Sequence, residues 1–96
     1  MKKSIYCVFD RKTHSVEFVK EFDNVQAFQR WFATVFLRGD SMFALYPDDY
    51  DVFELCRFDT ESLVLDEEGV PRLLFNMSEL FDIFKIPRPS LVQSAE

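Results

Sequence analysis

Apolar and polar positions alternate twice in the first twenty-two residues. From Ser4 to Asp10, Ile5, Cys7 and Phe9 take one side and Tyr6 and Val8 the other, which predicts a strand. Val16 to Phe22 alternates again, with Val16, Phe18, Lys20 and Phe22 on one face and Glu17, Val19 and Glu21 on the other. The polar link Arg11-Lys12-Thr13-His14-Ser15 makes the pair a hairpin. The period then changes. Val25, Phe28, Trp31, Phe32, Val35 and Phe36 fall within an arc of about 140° at 100° per residue, which predicts a helix over Val25 to Arg38. Asp23 is placed as its N-cap with Gln26 three residues on, Phe22 as a staple onto the first turn, and Gly39 as the C-terminal cap. An aromatic stripe of this kind is core against a sheet, and Trp31, at its edge, is the ring placed to reach a partner.

Beyond Gly39 the pattern is broken into short pieces. Ser41 opens one helical turn through Met42 to Leu45, closed by Pro47, because the residue before a proline is driven out of the helical region. Asp51 to Phe58 alternates as a strand, with Val52, Cys56 and Phe58 opposed to Phe53 and Leu55. Asp59 to Ser62 turns it back into Leu63-Val64-Leu65, and Asp66 to Gly69 turns again before a short strand at Arg72 to Phe75. Asn76 or Ser78 caps a short helix carrying Leu80, Ile83 and Phe84, stopped before Pro87. The expected fold is α+β: an antiparallel sheet of about four strands packed on one main helix, with a short C-terminal helix. Residues 1–86 form one domain, and 87–96 are expected as a flexible tail.

Composition narrows what such a domain can do. Of 96 residues 48% are apolar and 17% aromatic, with twelve Phe, and about half of these fall on the helix stripe and the strand faces it would cover. The two glycines, Gly39 and Gly69, stand too far apart for a dinucleotide fingerprint or a phosphate-cradling loop. No apolar run approaches the roughly 18 residues of a spanning helix, and Asp10 and Arg11 arrive too early for a secretory signal, so a cytoplasmic setting without a membrane is expected. Cys7 and Cys56 are not in a C-x-x-C pair and read as small apolar strand residues.

His14 is the only histidine and sits in a turn, which leaves neither a triad nor a histidine-rich zinc site. The carboxylates of Asp48-Asp49-Asp51 and Asp66-Glu67-Glu68 lie in loops, where runs of like charge are solvated. The first set lacks the glycine and distal glutamate of an EF-hand. No catalytic residue, metal site or cofactor is therefore expected. The net charge of −6 argues against non-specific phosphate binding as the main task, yet four of the eleven basic residues fall in the first twelve positions. Lys2, Lys3, Arg11, Lys12 and Lys20 are the candidate phosphate contacts and Tyr6 the candidate stacking residue, on a sheet that interleaves aromatics with cations.

The segment from Ser41 to Asp59, centred on Pro47-Asp48-Asp49-Tyr50, resembles the small nonstructural protein of gokushoviruses and related microviruses, the single-stranded DNA phages. The likeness extends over about Ser4 to Leu65, departing at Cys56 and in the Thr60-Glu61-Ser62 turn. It implies a phage protein in the host bacterial cytoplasm, associated with producing or handling single-stranded DNA, and brings no catalytic residue. Pro47 to Tyr50 is read as structural: the proline fixes the approach, the acids cap a turn and the tyrosine docks onto the core. Two readings follow. One is a non-enzymatic accessory protein binding single-stranded DNA with its N-terminal hairpin. The other is a protein-interaction module, either a homodimer or an adaptor to a host, replication or capsid partner, using an exposed aromatic patch or an unpaired sheet edge.

Overall fold

The computed structural model describes residues 1–88. The expected flexible tail over 87–96 lies outside the described residues from 89 onward. Strand β1 (Lys2–Asp10) and β2 (Ser15–Phe22) form the first hairpin, followed by helix α1 (Val25–Phe36) and the one-turn helix α2 (Met42–Leu45). A 3-10 turn over Pro47–Asp49 leads into β3 (Tyr50–Asp59), then β4 (Leu65–Asp66), β5 (Arg72–Asn76) and helix α3 (Glu79–Ile83). All strand pairs are antiparallel in the order β2-β1-β3-β4, and β5 shares the outer edge of β3 with β4. The α+β architecture follows the hydrophobic pattern. The return strand is shorter than Leu63-Val64-Leu65 suggested, because Leu63 adopts a φ of 66° and only Leu65–Asp66 pair.

Every helix lies on one face of the sheet. Phe28, Phe32, Ala33 and Leu37 of the α1 segment, Ala44 of α2, and Leu80 and Phe81 of α3 join Tyr6, Val8, Tyr50, Val52 and Phe75 of the strands in one buried cluster. The rings pack edge-on or tilted: Phe32 lies 4.7 Å from Phe36, 5.0 Å from Phe43 and 5.5 Å from Phe18. Such aromatic pairs add roughly 0.5–1.5 kcal/mol each beyond the area they bury. They give a 96-residue chain a core dense enough to hold a single two-layer fold.

Three β-bulges interrupt the sheet, one of them at Leu74 between β3 and β5, and the other two change the expected faces. Between β1 and β2, Val8 pairs Phe18 and Phe9 pairs Val16, so Glu17 is the extra residue and Val16 turns away from the helices, 49% exposed. Between β1 and β3, Ile5 pairs Cys56 while Tyr6 pairs Glu54, so Leu55 is extra and Cys56 joins Phe53 on the helix-free face rather than Val52. The caps of α1 also differ from expectation. Asn24, not Asp23, is the N-cap, its Oδ1 accepting from the Ala27 amide at 2.8 Å. Gly39 does not cap the other end. Buried Leu37 is the C-cap, and the Ser41 hydroxyl donates to the Phe36 carbonyl at 2.6 Å while accepting from the Ala44 amide. One serine thus ends α1 and starts α2.

Candidate nucleic-acid interface

The candidate cations of the hairpin do not meet. Residues 2–3 and 11–12 sit at opposite ends of a nine-residue strand, about 30 Å apart at 3.3 Å per residue. Three of them are already held by carboxylates: Lys2 by Asp66 at 2.7 Å, Lys3 by Glu21 and Asp23 at 3.9 and 3.8 Å, and Arg11 by Asp51 at 3.4 Å. Lys12 is exposed in the turn, its amide bonded to Asp10. Tyr6 is 2% exposed with its ring stacked 5.4 Å from Phe28 and tilted against Phe22 at 6.3 Å, and burial pushes its hydroxyl above the ordinary pKa. It has no open face for a base. The expected hairpin patch is therefore replaced by a set of separate, mostly neutralised charges.

The Pro47-Asp48-Asp49-Tyr50 block is a structural joint. Pro47 is buried at the start of the 3-10 turn, and Tyr50, 4% exposed, packs edge-on against Phe43 at 4.9 Å. Burial raises the Tyr50 hydroxyl pKa, with the carboxylates of Asp10, Glu17 and Asp49 acting in the same direction. The Arg11 guanidinium donates to the Asp48 carbonyl and the Arg11 amide to the Asp49 carbonyl at 2.9 Å. Asn76 Nδ2 donates to the Asp48 and Tyr50 carbonyls and to Asp51 Oδ1. The block thus ties the β1–β2 turn to the end of β5. Arg11 is a staple here, which removes it from the phosphate contacts.

Glu54 is the buried acid that the alternating pattern did not single out. It is 4% exposed, accepting from Ser4 Oγ at 2.6 Å and from Arg72 Nη2 at 2.7 Å. The cleft beside it, about 240 Å³ and lined among others by Ser4, Asp23, Glu54, Arg57 and Arg72, balances two acids with two arginines. It offers no net attraction to a polyanion.

Lys20 is the one predicted cation that opens a different site. Between Phe18 and Phe22 on the helix side of β2, its Nζ lies 5.8 Å from the Trp31 ring centre and 5.7 Å from that of Phe22. Trp31 stacks on Phe18 at 5.6 Å, and the rest of the ring lines a groove of about 680 Å³ with Phe22, Asn24, Gln26, Arg30 and Thr34. The whole stretch from Asn24 to Gly39 carries no acid, between Asp23 and Asp40. Arg30 stands mid-helix and Arg38 in the turn just past its C-terminus. Among the described residues, Lys20, Arg30 and Arg38 are in no ion pair. Arg38 also lines a smaller cleft with Arg88, with no acid in its wall among the described residues. In a chain of net charge −6, Arg30, the Trp31 ring and the Asn24 and Gln26 amides share one groove, with Lys20 against the same ring. The signal was present in the sequence as the acid-free run. What the periodicity missed was that the edge of the aromatic stripe faces a groove.

Among the described residues, no three His, Cys, Asp or Glu side chains converge as metal ligands, and no helix is long and apolar enough to cross a membrane. The fold and surface define a small two-layer α+β protein with a polar groove lined by Trp31 and Phe22. The chain belongs to the phage ORF5 protein family, whose model matches residues 3–80. No curated protein and no solved structure matches it.

Proposed function

We propose that this protein is a non-enzymatic accessory factor of single-stranded DNA phages of the microvirus and gokushovirus kind. It acts in the host cytoplasm by holding single-stranded DNA during genome replication. Membership of the phage ORF5 family supports the phage setting. The observation that carries the binding role is the groove between α1 and the edge of β2, lined by Trp31, Phe22 and Arg30 beside an acid-free helix, with Lys20 against the Trp31 and Phe22 rings. Single strands are bound by cations that track the backbone and aromatic rings on which bases stack, with little need for sequence readout. Trp31 and Phe22 supply the ring surface, Lys20, Arg30 and Arg38 meet phosphates, and Asn24 and Gln26 offer amides to base edges. Acidic surfaces elsewhere repel the polymer and confine it to this track.

A titration of labelled oligothymidine with the protein at low and moderate salt tests this reading. Saturable binding that weakens with salt is expected, since each phosphate neutralised releases a counterion. Absence of binding at both salts, or an affinity indifferent to salt, contradicts it. Replacing Lys2, Lys3 and Lys12 by Gln should leave most of the affinity intact.

A further inference from the structure

Among the described residues, no helix covers the opposite face of the sheet, and its side chains are largely apolar. Ile5, Cys7 and Phe9 of β1, Val16 and Val19 of β2, Phe53 and Cys56 of β3 and Leu73 of β5 point to this side, as the register of the four strands requires. None of them belongs to the helix-side core. Val16, Val19 and Leu73 are 49, 54 and 57% exposed, and Ile5, Phe9 and Phe53 are partly so. Phe9 and Phe53 meet edge-on at 6.1 Å across the centre.

We propose that this face is the contact between two copies of the chain, packed sheet on sheet in a closed symmetric dimer. Area and charge single out this occupant. Four strands spaced about 4.8 Å apart, nine residues long in β1, eight in β2 and five in β5, make a face of roughly 500 Å². Two copies then withdraw about 1,000 Å², the size a specific interface has to reach. A patch this large is at the top of what monomers leave open. The charges at its border are already neutralised within each copy, Lys3 by Glu21 and Asp23 and Arg11 by Asp51. A second copy therefore meets it without like-charge repulsion, while a polyanion finds no uncompensated cation on it. Sheets packed this way lie about 10 Å apart with their side chains interdigitated. The dimer leaves both helix layers, with their grooves, facing outward.

Sedimentation velocity over a wide dilution series is the test. The expected species has twice the 11.4 kDa chain mass and dissociates on dilution. The double substitution Val19→Glu with Leu73→Glu, at exposed positions, should weaken self-association at least a hundredfold and leave the far-ultraviolet circular dichroism unchanged. Ile83→Glu, equally exposed but on α3, should leave it intact. Should the double variant not fold, the wild-type chain supplies a second readout. Cys56 lies partly exposed on this face, so its alkylation should slow as protein concentration rises, with buried Cys7 inert throughout. A wild-type chain that stays monomeric at every concentration, an α3 substitution that dissociates the dimer as well as the double variant does, or Cys56 labelling independent of concentration each overturns the proposal.

Discussion

The two faces of this sheet carry comparable apolar side chains to different ends. On one side Tyr6, Val8, Val52 and Phe75 are sealed beneath α1 and α3; on the other Ile5, Phe9, Phe53, Val19 and Leu73 have no helix over them. The same alternation produces both, because neighbouring strand residues point to opposite sides. What distinguishes them is which face finds a helix with a matching stripe. The helix side buries its stripe in the domain's own core and leaves only the rim, at Trp31, for a ligand. Among the described residues the bare side has no intramolecular partner, which leaves its surface for association.

The largest expected effect breaks the helix-side core. Phe32→Ala, at a fully buried ring touching Phe18, Phe28, Phe36 and Phe43, should cost about 3–5 kcal/mol in denaturant unfolding. Val19→Ala on the other face, measured in dilute solution, should stay within about 0.5 kcal/mol. Equal losses at the two sites would erase the contrast between the faces. Next comes the buried acid beneath the start of α1. Arg72→Met leaves one Glu54 oxygen without its donor and should cost about 1–3 kcal/mol. A Glu54→Gln background, where the charge is gone, should shrink that loss in the same melts.

Smaller in free energy but specific to the groove is the paired substitution Lys20→Gln with Arg30→Gln. It should flatten the logarithmic salt dependence of oligothymidine binding by about 1.4, since single strands contribute about 0.7 per neutralised phosphate. Lys2→Gln with Lys3→Gln should hardly change that slope. The smallest effect lies at the far end of β3. The amides of Ser62 and Glu61 donate to Asp59 Oδ1 and hold its carboxyl below the ordinary 3.8. A group lowered in the folded state stabilises above its unfolded pKa, and the benefit fades as pH falls through the folded value. Amide exchange in the 59–65 loop should therefore speed up, relative to the rest of the sheet, below about pH 4. Asp59→Asn should abolish that acid-side change.

Much of this fold was readable because it depends on local pattern. The helix stripe from Val25 to Phe36, the turn opened by Ser41 and the proline stop at Pro47 need only the chain's own period and capping chemistry. The two bulges against β1 were not readable. Glu17 and Leu55 become extra residues only through the register with β1, which no local alternation encodes. The caps of α1 failed for a related reason: Leu37 is drawn into the core before Gly39 can end the helix, and Ser41 takes over the last carbonyl. For the candidate site, the cations near the N-terminus are adjacent in sequence but separated in space, because a strand spreads them over its length. Lys20 and Trp31 lie on two elements and meet only when α1 packs against β2. Two sequence signals pointed there: Trp31 at the edge of the aromatic stripe and the absence of acids from Asn24 to Gly39.

The direct test of the groove uses Trp31, the single tryptophan of the chain. Its emission should be quenched in a saturable manner by oligothymidine at low salt, and the quenching should weaken as salt rises, because bases stack where the indole lines the groove. An emission unchanged by DNA that is shown by anisotropy to be bound would place the strand elsewhere and contradict the account.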